Sequence, residues 1–335
     1  MQRKIIGKGL RLSLRHAPCA HICRYCLISE SRKRSALPFA RFERLVHRFF
    51  DWKEQAGRDD LEIGTFVGPS FDYDVETLHG VGRLRARRGG RFQILNLGGI
   101  RMRRDEALVA WIEERQAAGI TGFHASLAGC GETHDRWNGR AGDFDYQTTM
   151  LRLGGERGMA HRYRLFITQS TLPLFDRLLD ILDTIPGDTG HRIATPFFYA
   201  GLARRYEDER ITEDDRDALP GRVRSLPLGK FRDWRSEREW IPIMMETADR
   251  PRRLILKLDV DETNIDRLEA MACEDIYAER ERLYQESYVG VPPLEELCAR
   301  YGDPENRRVY MLSRDVEGRW LDLHQRATGT KPPLD

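Results

Sequence analysis

The chain has 335 residues, and its 55 Lys and Arg residues nearly balance 53 Asp and Glu residues, leaving a formal net charge of +2. This balance gives no general attraction for nucleic acid, so we expect a small or neutral partner. The composition suits a soluble globular protein, no apolar run approaches the roughly 20 residues that cross a bilayer, and no signal-peptide pattern is seen, so we expect a cytoplasmic protein without a membrane partner.

The first 200 residues alternate short β-rich apolar runs with longer segments of helical period, which is typical of repeated β–α units. The predicted strands are 10–14, 61–67, 92–97, 122–127, 164–168 and 192–196. The predicted helices begin near Pro38, Tyr73, Arg104, Phe144 and Thr171. Six strands linked by five helices predict an α/β fold in which residues 1–200 form a partial (β/α)6 TIM-like barrel.

Residues 201–335 have a different pattern. They begin with charge-dense segments and a Pro220-Gly221 turn signal. Further along, we expect a strand at 253–260, a helix at 261–286, and a hairpin that pairs 309–313 with 320–323. The sequence therefore predicts a small C-terminal α/β extension, which we expect to cover the substrate.

Three of the six cysteines, Cys19, Cys23 and Cys26, form a CxxxCxxC array on the loop after the first predicted strand. In a reducing compartment such a group indicates metal or redox chemistry rather than disulfides. Thiolates are the usual ligands of four-iron clusters, and three of them leave one iron without a protein ligand from that loop. A structural zinc site, which needs four ligands and would recruit His16 or His21, is the alternative.

This motif, with Tyr25 before its last cysteine and a partial barrel around it, resembles the radical S-adenosylmethionine (SAM) superfamily. The resemblance implies one 4Fe-4S cluster on Cys19, Cys23 and Cys26, with Tyr25 beside SAM, which chelates the open iron. It also implies reductive cleavage of SAM to a 5′-deoxyadenosyl radical that abstracts hydrogen from a substrate. A flavodoxin-type or other reductant would then be a partner. A non-enzymatic iron–sulfur or zinc interaction module is the alternative from another class.

Two further segments, 123–129 and 134–139, resemble the SLDG and HDxxRG motifs of one branch of this superfamily, whose members modify peptides or sugars. In that branch the serine and the arginine help to hold SAM. Ser126 matches the serine, with an ordinary strand-end serine as the alternative. The arginine position is Asn138 here, and the neighbouring Arg136 and Arg140 are the two substitutes that could hold the SAM carboxylate. Of these we expect Arg140. The motif aspartate is an alanine in this chain.

Four further positions lie at predicted strand ends, where active sites of parallel barrels collect: Gly68, Pro69, Asn96 and Gln169. Gly68 and Pro69 are similar to the family's GGEP-like turn, whose backbone binds the SAM ammonium, although the acidic residue is absent. Glycine at a strand end also permits close approach of a ligand. We expect Asn96 and Gln169 to contact SAM or substrate. A plain βα turn is the alternative for Gly68 and Pro69, and helix capping by Ser170 or Thr171 is the alternative for Gln169.

The remaining cysteines, Cys130, Cys273 and Cys298, are too scattered to resemble the family's auxiliary-cluster motifs. We therefore expect a single cluster and a redox-neutral outcome. The low net charge and the missing auxiliary cysteines favour a polar natural-product precursor of sugar or nucleoside type, a small-molecule substrate. Radical modification of a ribosomal peptide or protein side chain is the alternative within the same chemistry.

Overall fold

The computed structural model describes residues 5–28, 35–226, 234–248, 250, 252–331 and 334. The strands are β1 Ile5–Ala17, β2 Glu62–Pro69, β3 Ile94–Asn96, β4 Gly122–Leu127, β5 Ala160–Ile167, β6 Asp188–Pro196, β7 Arg235–Ser236, β8 Arg252–Val260 and β9 Val309–Tyr310. The helices are α1 Phe39–Gln55, α2 Val75–Ala86, α3 Asp105–Ala117, α4 Glu132–Asn138, α5 Asp143–Glu156, α6 Phe175–Asp183, α7 Glu213–Asp217, α8 Gly221–Arg224, α9 Glu237–Met245, α10 Ile265–Ala270, α11 Cys273–Ser287, α12 Leu294–Tyr301 and α13 Ser313–Thr328. Within these residues, no helix combines the length and the apolar character needed to span a bilayer.

The strands form a mixed α/β fold with two parallel sheets, ordered β2-β1-β8 and β3-β4-β5-β6, and a short antiparallel β7-β9 pair. The α/β class and all six predicted strands are confirmed. In the described parts of the chain no ladder joins β2 to β3, so the six strands do not make one continuous hydrogen-bonded sheet. Instead β8, which lies beyond residue 200, pairs in parallel with β1.

Hydrophobic alternation explains how β1 enters the core. Leu10, Leu12 and Leu14 are fully buried, and the residues between them point to the other face of the sheet. Helix α1 covers this core with an apolar stripe that includes Phe42 and Phe49, spaced as one face of a helix requires.

The sheet β3-β4-β5-β6 has two unlike faces. Phe123 on β4 stacks on Trp111 of α3 and lies against Gly154 of α5, so this face is covered by helices. We call the opposite side the inner face. It carries the half-buried side chains of Asn96, His124, Ser126 and Arg164 and the exposed Arg162.

The C-terminal prediction is wrong in two places. The expected hairpin of 309–313 with 320–323 is instead the short strand β9 followed by α13, because Val316, Trp320 and Leu321 are buried at helical spacing. The expected helix 261–286 is divided into α10 and α11, since the backbone is extended at Met271. The expected strand 253–260 is confirmed as β8.

Candidate functional site

The loop after β1 brings three thiols together. Cys19, Cys23 and Cys26 are half-buried and free. Burial raises the pKa of the Cys23 thiol far above its usual value, and the neighbouring Cys19 and Cys26 raise it further. Across the described ranges, no three His, Cys, Asp or Glu side chains are placed to hold a metal ion as they stand. The donor set still fits an iron–sulfur cluster in kind, because one loop supplies three thiols and Cys19 and Cys26 lie close enough to Cys23 to raise its pKa.

Glycines with positive φ contact this loop from three other segments of the chain: Gly99, Gly139 and Gly201. A Cβ added to them would clash with Cys19 Sγ, the Ile22 carbonyl and the Cys26 carbonyl, respectively. The Ala20 N–H donates to the Gly99 carbonyl at 2.9 Å, and the Leu202 N–H donates to the Cys26 carbonyl at 2.8 Å. The segments after β3, α4 and β6 therefore hold the cysteine loop by close backbone contact, which only glycine permits there without strain.

A buried polar network lies behind the loop, and Asp143 is its centre. The Asp143 carboxylate is fully buried, and it lies 3.1 Å from His134 Nε2 and 3.2 Å from His21 Nε2. It also accepts hydrogen bonds from Asn138 Nδ2 and Arg140 Nε. Burial alone would raise the pKa of Asp143, but the hydrogen bond with His134 and the close approach of the His21 ring together hold this pKa well below its usual range.

Backbone N–H groups orient both histidine rings of the network. The Gly99 N–H donates to His21 Nδ1 and the Ala128 N–H donates to His134 Nδ1, each at 3.2 Å. Since Nδ1 of His21 accepts, the proton of its neutral ring lies on Nε2, which faces Asp143. His21, between Cys19 and Cys23, is thereby fixed against the segment that follows β3.

Tyr25 connects the loop to the strand ends. Its hydroxyl donates to Asn138 Oδ1, and its ring lies 4.8 Å from Phe166 and 5.1 Å from Phe197, measured between ring centroids. Trp137 of α4 completes this aromatic group. The side chain next to Cys26 is therefore packed at the carboxyl ends of β5 and β6.

The predicted cofactor contacts are placed around this loop, and none of them is tested directly. Ser126 lies on the inner face, paired in register with Arg164. Gly68 and Pro69 end β2, and the next residue, Ser70, donates its hydroxyl to the Gly99 carbonyl at 2.9 Å.

Three other predicted contacts already have protein partners. Asn96 Oδ1 accepts from the Gly98 N–H at 2.7 Å. Gln169 Nε2 donates to Asp215 Oδ2 at 2.6 Å. Arg140 is held by Asp143 and by the Ile100 carbonyl. These residues would have to exchange or share those partners to bind SAM.

The other cysteines lie beside unrelated groups. Cys130 is buried near Arg177, Cys273 is buried near Arg48, and Cys298 packs against a second apolar cluster near Glu237. None of these three thiols affects the pKa of another cysteine. Their positions therefore agree with the prediction of a single cluster.

A matched pair of glycine variants tests the close backbone contact. Gly139 and Gly142 are both left-handed and three residues apart, but a Cβ on Gly142 would meet only Met102 Cε at 4.0 Å. We expect Gly142→Ala to cost about 1 kcal/mol in the free energy of unfolding, the usual penalty of that backbone conformation. Gly139→Ala should cost more and lower iron retention, because its methyl group displaces Ile22. Urea denaturation and iron analysis measure both effects, and equal effects in the two variants would contradict the contact.

No protein-family model and no curated protein matches the chain. Several solved structures do. SuiB from Streptococcus suis bound to precursor peptide SuiA is 13% identical with a TM-score of 0.36, covering 56% of this chain and 39% of SuiB. Coproporphyrinogen III oxidase (HemN) from Escherichia coli, a radical SAM enzyme, is 13% identical with a TM-score of 0.37, covering 74% of this chain and 54% of HemN.

A third neighbour is anSMEcpe with bound AdoMet and Cp18Cys peptide. It is 11% identical with a TM-score of 0.42, and the alignment covers 96% of this chain and 100% of that one. HemN belongs to the superfamily that the cysteine motif predicts. At these identities the alignments do not distinguish the SLDG-like branch from others.

Proposed function

We propose that this chain is a radical SAM enzyme with one 4Fe-4S cluster on Cys19, Cys23 and Cys26. The observation that supports the proposal most is the position of these three thiols as neighbours on one loop at the carboxyl end of β1. Parallel α/β proteins place their active sites at this end of the strands. A partial barrel over residues 1–200, with residues 201–335 covering the substrate, is part of the same proposal.

The residues of this chain would hold and orient the cluster, SAM and the substrate, and would not themselves react. Three thiolates leave one iron open to SAM, and Gly99 leaves the space beside Cys19 that a larger residue would fill. The cluster and SAM, when bound, would supply the radical chemistry. Ser126 on the inner face would donate a hydrogen bond to SAM, and the aromatic group around Tyr25 would exclude water from the loop.

The substrate proposal has two forms. The sugar or nucleoside preference has no support in the comparisons, whereas SuiB and anSMEcpe are described with bound peptides. A peptide or protein side chain therefore fits these neighbours better than a sugar or nucleoside does. For either substrate, a single cluster favours redox-neutral chemistry.

Chromatography of an anaerobic, reduced incubation tests the proposed reaction. We expect 5′-deoxyadenosine from SAM, and we expect Ser126→Ala to weaken SAM binding by about 1 kcal/mol through the loss of one hydrogen bond. Ser225→Ala, an exposed serine, is the control and should bind SAM as the parent protein does. Methylthioadenosine or S-adenosylhomocysteine as the sole product would assign the chain to a different reaction class.

A further inference from the structure

A row of polar side chains crosses the inner face. The strand registers place Asn96 opposite His124, His124 opposite Arg162, and Arg162 opposite His191. Neighbouring strands are about 4.8 Å apart, so these four side chains form one line across β3, β4, β5 and β6. Arg164 lies two residues beyond Arg162 on the same side of β5, so it borders this row on the side toward the cysteine loop.

The charges in this group are of one sign. Burial and the nearby positive charges of Arg164, His191 and Arg162 lower the pKa of His124 to about 4. His124 is therefore neutral near pH 7 and is surrounded by cations.

The second observation is that the half-buried side chain of Arg164 lacks a partner for its charge among the described residues. Burial lowers its pKa, and no carboxylate of the described residues acts against this effect. Its Nε atom is buried without a hydrogen-bond partner among the described residues. A half-buried guanidinium without a counter-ion is costly, and an anion that supplies both charge and acceptor oxygens removes that cost.

Two other arginines near this sheet that are largely buried already have carboxylate partners. Arg192 on β6 points to the helix-covered side and pairs with Asp183 and Asp188. Arg140 is paired with Asp143. Arg162 and Arg164 on the inner face differ from them, because neither has an ion pair with a carboxylate of the described residues. Both are therefore available to bind an anionic ligand.

We propose that His124, Arg162, Arg164 and His191 form an anion-binding site that holds a phosphate or carboxylate group of the substrate. The two guanidinium groups supply charge and forked N–H donors, and the neutral His124 ring supplies one more N–H. The site lies on the same face as Ser126, deeper along the strands than the cysteine loop, so an anion held here leaves the rest of the substrate directed toward that loop. The assignment of the anion to a substrate rests on the proposed function, whereas anion binding itself does not.

The test uses the reconstituted, oxidised full chain with histidines labelled with carbon-13 at Cε1, and inorganic phosphate as the probe. His124→Gln identifies the His124 resonance. We expect this resonance to shift and saturate as phosphate is added. Arg164→Gln and Arg162→Gln should each weaken the apparent phosphate affinity about tenfold or more, because each removes a charge-assisted contact.

Arg152→Gln is the matched control, since Arg152 is exposed on α5 and its loss changes the net charge equally. It should leave phosphate affinity within about twofold, as expected for a screened surface charge. A second arm replaces phosphate with acetate, and tighter binding of one probe identifies a phosphate or a carboxylate as the preferred group. A shift that does not saturate, or an equal loss in Arg152→Gln, overturns the site.

A third arm separates the substrate from the cofactor. Saturating SAM should leave the phosphate affinity unchanged if the site serves the substrate. Competition between SAM and phosphate would assign the site to the SAM carboxylate and overturn the substrate proposal, while 5′-deoxyadenosine formation would still support radical SAM chemistry. If phosphate binds but no 5′-deoxyadenosine is formed, the anion-binding site would stand and the proposed radical SAM function would fail.

Discussion

Replacing Cys19, Cys23 and Cys26 together with alanine is expected to abolish cluster assembly. The parent chain should hold about four irons after anaerobic reconstitution, and the triple variant should hold almost none, because no other ligand set replaces three thiolates. Absorbance and iron analysis of the purified proteins measure the change.

The control is Cys273→Ala with Cys298→Ala, since these thiols lie beside Arg48 and Glu237 and away from the cysteine loop. This double variant should keep the full iron content. Unchanged iron in the triple variant would refute the ligand assignment. Roughly eight irons in the parent chain, with half lost in the double variant, would indicate a second cluster. The redox-neutral prediction would then give way to dehydrogenation, because a second cluster can accept an electron from the substrate radical.

Removing the buried carboxylate of the network should have the largest effect on stability. Asp143→Ala is expected to lower the free energy of unfolding by about 3–5 kcal/mol, because Arg140 would be left partly buried without its partner and two histidines would lose theirs. Urea denaturation of the iron-free protein measures this loss without interference from a cluster. Asp143→Asn should retain part of the stability, since the amide can still accept hydrogen bonds.

Asp145→Ala is the matched control, because Asp145 lies in the same first turn of α5 but is exposed. It should cost less than about 1 kcal/mol, the range of a carboxylate interacting with a helix N-terminus. Equal losses at positions 143 and 145 would show that the network does not stabilise the chain as described.

The sequence predicts local structure well where burial follows a simple period. Residues 122–127 are predicted as a strand and form β4, because alternate side chains are buried. The division of the strands into two sheets could not be predicted, since it depends on pairing between distant segments. The hairpin prediction for 320–323 is wrong because Glu317-Gly318 looks like a turn in the sequence, whereas it lies inside α13, where Val316 and Trp320 share one buried face at a four-residue spacing.

The candidate site is predictable only in part. Cysteine spacing alone predicts Cys19, Cys23 and Cys26 as the cluster ligands. The tendency of active sites to lie at the carboxyl ends of parallel strands predicts which other segments surround them. Asp143 lies outside any motif, and nothing in its sequence neighbourhood shows that His21 and His134 meet it. The unpaired state of Arg164 also depends on register between strands, which only the structure provides.

Mössbauer spectroscopy of the reconstituted chain, recorded with isotopically enriched iron before and after SAM is added, tests the central claim most directly. Three thiolates on a four-iron cluster leave one iron open, so SAM should change about one quarter of the iron signal and leave the rest unaltered. A spectrum that SAM leaves unchanged, or iron that is not in a four-iron cluster, would contradict the account.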